Sequence, residues 1–172
     1  NSFKDVWRKS LVEVYILRHD QNRPAGFTGG KTADGTDRLG VNTFGGRWTG
    51  PMSWGLKYSL EGALQNGAVG PAAHRAGAWF SSLSRRWMVS RRPLDISAEY
   101  KYASGTGRPQ DPLHASTFDQ LAAANHDKFG HQDLFGWRNI HNLRSQATLG
   151  VTKNFTLNFM YANNWLASEL DA

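Results

Sequence analysis

Apolar side chains recur at every second position through segments of about ten residues, and no run of roughly 18 apolar residues appears anywhere in the chain. A two-residue period belongs to a pleated strand, whose successive side chains point to opposite faces. From Trp54 to Gln65, the residues Leu56, Tyr58, Leu60 and Leu64 share one face with Gly62, while Lys57, Ser59, Glu61 and Gln65 share the other. From Leu94 to Ala103, Leu94, Ile96, Ala98, Tyr100 and Tyr102 stand against Asp95, Ser97, Glu99 and Lys101. The same pattern sets Leu143, Ala147, Leu149 and Val151 against Asn142, Arg144, Gln146 and Thr148, and sets Phe155, Leu157, Phe159 and Tyr161 against Thr156 and Asn158. Three weaker segments join these: Leu11 to His19, the glycine-rich Asp37 to Trp48, and Arg75 to Trp87, whose small residues on both faces leave the register open. The expectation is an all-β chain of about seven strands.

The connections add a second pattern. A polar stretch, Asp20 to Thr36, follows the first strand, and the tight Gly50-Pro51-Met52-Ser53 turn follows the second. Asn66 to His74 reads as a longer connection, Met88 to Pro93 as a compact turn, Ser104 to Trp137 as a very long loop, and Thr152-Lys153-Asn154 as a turn. Long and short connections alternate, as they do where antiparallel barrel strands carry long loops at one rim and short turns at the other. Trp48, Trp54, Tyr100, Tyr102, Tyr161 and Trp165 lie near strand ends, where an aromatic girdle meets a lipid interface. A soluble β-sandwich also alternates along its strands, and the loop pattern and these aromatics favour the barrel over it.

Composition is compatible with that reading. The hydrophobic fraction is 40 %, and the mean hydropathy is −0.54. A barrel strand shows lipid only every second residue, so the chain average stays hydrophilic. Without a spanning helix, a membrane reading has to be a barrel reading. The chain has no cysteine, which excludes disulfides, thiolate metal sites and cysteine nucleophiles. A formal charge of +6 points to an acidic partner: nucleic acid, polyanionic glycan or an anionic membrane surface.

Within the long loop stand three runs: Thr117-Phe118-Asp119-Gln120-Leu121, then Asn125-His126-Asp127-Lys128-Phe129-Gly130, then Gly136-Trp137-Arg138-Asn139. Together they resemble the signature stretch of the alginate-export family of outer-membrane porins. The strands around Tyr58 to Gln65 and Ala98 to Gly105 are similar to strands of that family as well. The resemblance implies an antiparallel transmembrane β-barrel of the outer-membrane type with about eighteen strands, of which this chain would be a C-terminal fragment. It implies a conduit for an anionic, alginate-like uronate chain moving by passive diffusion across the outer membrane of a Gram-negative bacterium. The expected partners are that polysaccharide, outer-membrane lipid and periplasmic export components, with no nucleic acid, no cofactor and no enzymatic activity.

On these registers Lys57, Lys101 and Arg144 leave the lipid face, and Arg38, Arg85 and Arg138 are expected to join them along a basic lumen. Guanidinium offers a carboxylate two parallel donors. Counter-charges from Glu13, Glu61, Asp95 and Glu99 would keep a polyanion from binding too tightly to leave. The competing account has these charges pair across strands and stiffen the barrel.

His126, Asp127, His131 and Asp133 raise a second function, a carbohydrate-binding or metal-dependent hydrolytic site in the 125–133 loop. Their spacing matches no zinc helix motif, and ordering of the loop by side-chain-to-backbone bonds is the favoured role. Ser81, Ser82 and Ser84 lack the setting of a hydrolase nucleophile. Arg85-Arg86 and Arg91-Arg92 around Trp87 form the densest basic patch, and its place at a short turn favours a solvated rim over a nucleic-acid site.

Overall fold

The computed structural model describes residues 2–4, 9–21, 39–120 and 136–171. They form one nine-stranded sheet. The strands are β1 (Ser2–Lys4), β2 (Leu11–Gln21), β3 (Leu39–Pro51), β4 (Leu56–Val69), β5 (Ala72–Val89), β6 (Arg92–Ala103), β7 (His114–Ala115), β8 (Ile140–Gly150) and β9 (Thr156–Leu166). Sequential neighbours pair antiparallel from β1 to β6 and on through β8 to β9, while the short β7 pairs parallel with the far end of β5. The sheet is open, with β1 and β9 at its edges. All seven expected strands are present.

One connection differs from expectation. Asn66 to His74 is strand on both sides of a two-residue turn, Gly70-Pro71, so the alternation of long and short connections breaks there. Gly70 takes φ 55 at the first turn position, where hairpins of this kind place glycine. Gly67, at φ 156, lets β4 continue into the turn, because a Cβ there would stand 2.0 Å from the Gly40 carbonyl oxygen. The β5–β6 turn, Ser90-Arg91, has positive φ at both positions and matches the twist of its strands.

The register carries the two faces across the whole sheet. Val12, Trp48 and Leu60 lie in one row with Ser81, Tyr100 and Leu143. A second row runs Trp79, Tyr102, His141, Trp165, with the His141 and Trp165 rings stacked at 5.3 Å. Tyr102 and Trp165 were expected near an interface; Trp79 and His141 complete their row.

Burial runs against the pattern of a water-soluble sheet. On the apolar face Ile16 is 72 %, Leu64 70 % and Phe159 67 % exposed. The buried residues lie on the polar face, where Ala63, Ala78, Ala103 and Ile140 pack under Phe118, and Leu39, Val41 and Val69 pack beside Ala115. The covering layer is the chain after β6, which folds back over the long-loop end of that face.

Candidate functional site

The polar face carries a ladder of charges placed by strand parity. Tyr15 Oη donates to Glu61 at 2.9 Å across β2 to β4, and Arg47 stands 4.0 Å from Glu13. Arg86 holds Asp95 through two bonds of 2.6 and 2.8 Å. Glu99 accepts from Arg144 at 2.6 Å and from Lys101 at 3.2 Å. Lys101 is 3 % exposed, so this triad is a desolvated ion cluster and not a solvated contact. Lys57 is exposed and makes no ion pair among the described residues, although the Asp95 carboxylate lies within range of its charge.

Of the residues expected along this face, Lys57, Lys101, Arg144, Glu13, Glu61, Asp95 and Glu99 occupy it. Arg85 does not. It sits in register with Leu56 and Ile96 on the apolar face, its guanidinium 4.8 Å from the centre of the Trp87 ring, and its neighbour Arg86 takes the polar side. The weak alternation of Ala, Gly and Ser in β5 left nothing to fix that register from sequence. Arg138 lies in the half-buried bend before β8, outside the ladder. Arg38 and the residues Asn125, His126, Asp127, Lys128, Gly130, His131 and Asp133 lie outside the described residues.

Above the charges the loop is sewn onto the sheet. Ser104 Oγ accepts from Gly77 N at 3.0 Å and donates to the Ser116 carbonyl at 2.7 Å, while the Ser104 carbonyl accepts Phe118 N at 2.9 Å. Phe118 can reach the sheet because β4, β5 and β6 offer alanine there, and a larger side chain at Ala63, Ala78 or Ala103 would fill its seat. Gln65 Nε2 donates to the Asp119 carbonyl at 2.6 Å, and Gln65 Oε1 accepts Asp119 N at 2.8 Å. The Asp119 carboxylate meets His19 Nδ1 at 2.6 Å. Gln120 Oε1 accepts Trp137 N at 3.0 Å, and the Trp137 indole donates to the Tyr102 carbonyl at 3.1 Å. Between Tyr15, Glu61, Phe118, Gln120 and Trp137 remains a cavity of about 230 Å³.

Asn139 joins the loop to the segment after β9. At φ 44 it occupies the left-handed region that asparagine tolerates better than most residues. Its Oδ1 accepts Ser168 N at 2.7 Å, and its Nδ2 donates to the carbonyls of Ser168 and Asp171, both at 3.0 Å. The Asp171 carboxylate accepts Thr106 N at 2.9 Å and the Thr117 hydroxyl at 2.5 Å. Thr117, Phe118, Asp119, Gln120, Gly136, Trp137 and Asn139 are thereby brought together, although they come from both ends of the loop.

Sequence reasoning missed the receiving side of this assembly: His19, Gln65, Ser104, Thr106, Ser168 and Asp171. Each is an ordinary polar residue in its own segment, and only the long-range register brings it to the loop. The loop-facing alanines carry a usable signal, since small residues on the wet side of three adjacent strands mark a place where something packs.

No curated protein and no solved structure matches this chain, whereas the family model described as alginate export matches residues 5–172. The chain belongs to the alginate export family.

Proposed function

We propose that this chain forms part of the wall of an outer-membrane β-barrel channel, through which an anionic, alginate-like polysaccharide diffuses passively. The observation that carries this reading is the inverted sheet: the apolar side chains are exposed, and the residues withdrawn from water lie on the polar face under the loop. In water such a surface is an aggregation site; against acyl chains it is the stable arrangement. The open edges at β1 and β9 require further strands to close the barrel, since unpaired backbone does not persist in hydrocarbon. The polar face then lines water, with Lys57, Arg47 and Arg86 as its exposed cations and carboxylates between them to keep a polyanion moving. Lys101 and Arg144 contribute to the local potential while clamping Glu99.

Planar-bilayer conductance of the full-length protein tests the reading. It expects an anion-selective current that uronate oligomers reduce; an assembled barrel with no such current or with cation preference overturns it. The alternative, an enzymatic or carbohydrate-binding site in the 125–133 loop, rests on residues outside those described and gains no support from the geometry of the others.

A further inference from the structure

The apolar face ends in a polar row. Arg18, Asn42, Asn66 and Arg75 are register partners on β2 to β5, one step beyond Ile16, Phe44, Leu64 and Gly77. Arg18 is occupied: it holds Asp20 through bonds of 2.7 to 3.0 Å and donates to Asn42 Oδ1 at 3.1 Å. Arg75 is exposed and makes no ion pair among the described residues. Directly beneath it the sheet has a groove of about 540 Å³ lined by Leu64, Gly77, Ala76 and Ser104, with Asn66 and Arg75 at its head. The groove has two causes. Gly77 presents no side chain opposite Leu64, and past Ala78 and Ala103, where the β5–β6 ladder stops, the small Ser104 is what stands against Gly77.

We infer that this groove, with Arg75 and Asn66 at its mouth, binds one phosphorylated lipid of the surrounding leaflet. The inference rests on the barrel reading, in which this face meets lipid. A guanidinium and a carboxamide at the edge of an apolar band present donors at headgroup depth, and guanidinium binds phosphate through two bonds. The groove below is lined by Leu64, Ala76 and Gly77 with Gln65 and Ser104, and its mostly apolar surface is what an acyl chain needs. An uncharged lipid offers Arg75 no phosphate, whereas every phospholipid, zwitterionic ones included, carries one.

The test uses full-length protein in neutral detergent, titrated with short-chain phosphatidic acid and read by native mass spectrometry. Two variants address the two halves of the site. Arg75→Ala removes the cation. Gly77→Val fills the groove, and a Cβ there meets only ordinary contacts, 3.5 Å from Leu64 and 3.7 Å from the Ala63 carbonyl oxygen, so the strand accepts it. The expected result is one retained phosphatidic acid per wild-type chain, with retention weakened about tenfold in each variant and with diacylglycerol binding poorly throughout. Unchanged retention in both assembled variants overturns the site. Displacement by inorganic phosphate at the same concentration as lipid overturns the groove's part in it. Heat-modifiable gel migration of the same samples reports barrel assembly separately: its absence in wild type overturns the barrel reading and this site together, whereas its presence with unchanged retention overturns the site alone.

Discussion

Gln65 grips the backbone of Asp119 at two points, its amide nitrogen on the carbonyl and its amide oxygen on the N–H. A carboxamide mimics a strand partner in this way, and β4 thereby extends a backbone-like ladder to a loop segment that lies over it instead of beside it. Thr43 and His74 hold the same amide from either side, at 3.1 and 3.3 Å, which fixes its orientation.

Replacement of Gln65 by Leu therefore removes both of these bonds to the Asp119 backbone while keeping the volume. Two lost bonds at a part-buried site cost about 1–3 kcal/mol. The expected outcome is fast hydrogen exchange at the Asp119 amide and noisier single-channel current, with strand exchange elsewhere unchanged. Protection of that amide at the wild-type level would remove Gln65 from the clamp.

Asn139 separates backbone conformation from hydrogen bonding. Asn139→Gly keeps access to φ 44 and loses the bonds to Ser168 and Asp171; Asn139→Ala loses the bonds and adds left-handed strain of about 1–2 kcal/mol. Thermal unfolding is expected to rank wild type above Gly and Gly above Ala. Limited proteolysis after residue 166 is expected to rise in both variants.

The turn that delivers β7 to the edge of β5 carries a pH dependence. Asp111 accepts Leu113 N and pairs with His114, and these bonds hold its carboxyl below the usual carboxylate range. A depressed folded-state pKa contributes stability above the unfolded value, and that contribution disappears as pH falls through the folded one. Exchange of the Leu113 amide is expected to stay slow in mild acid and to accelerate only below the ordinary carboxylate range, and Asp111→Asn is expected to abolish that acid step.

The faces were legible in the sequence wherever large apolar residues alternated with charge. Leu56 to Leu64, Leu94 to Tyr102 and Leu157 to Tyr161 fix their own registers, since a one-residue slip would turn every leucine onto the polar face. Arg85 was misplaced because β5 offers Ala, Gly and Ser on both sides. Asn66 to His74 read as loop because Asn66, Gly67, Gly70 and Pro71 punctuate it, yet Gly67 is there for close approach to β3 and only Gly70 and Pro71 turn. The receiving residues of the loop clamp could not be read at all, because Gln65 and Asp119 are 54 positions apart and meet through register alone.

Charge substitution on the polar face divides into two kinds. Glu99→Ala takes the shared carboxylate away from Lys101, which is 3 % exposed, and from Arg144, and breaking a buried pair costs about 3–5 kcal/mol. Failed assembly is the expected readout there, so selectivity is better probed at Lys57. Lys57→Glu is expected to assemble normally and to lower the anion-to-cation permeability ratio by up to about fivefold, the weight of about 1 kcal/mol for a near charge in water. An unchanged ratio in an assembled Lys57→Glu barrel would take that residue out of the conduit.

The paired faces themselves are tested by placing one arginine on each. Leu60 lies mid-strand on the apolar face in the row of Trp48 and Ser81, whereas Ser84 faces the other way beside Lys57. If acyl chains cover the first face, Leu60→Arg costs roughly 2 to 4 kcal/mol near the bilayer midplane, while Ser84→Arg stays in water and costs little. Folding of full-length protein into vesicles, followed by heat-modifiable gel migration, is expected to fall sharply for the first variant and to match wild type for the second. Equal assembly of the two would mean that Leu60 does not meet lipid, and the inverted burial would then need a protein partner on that face.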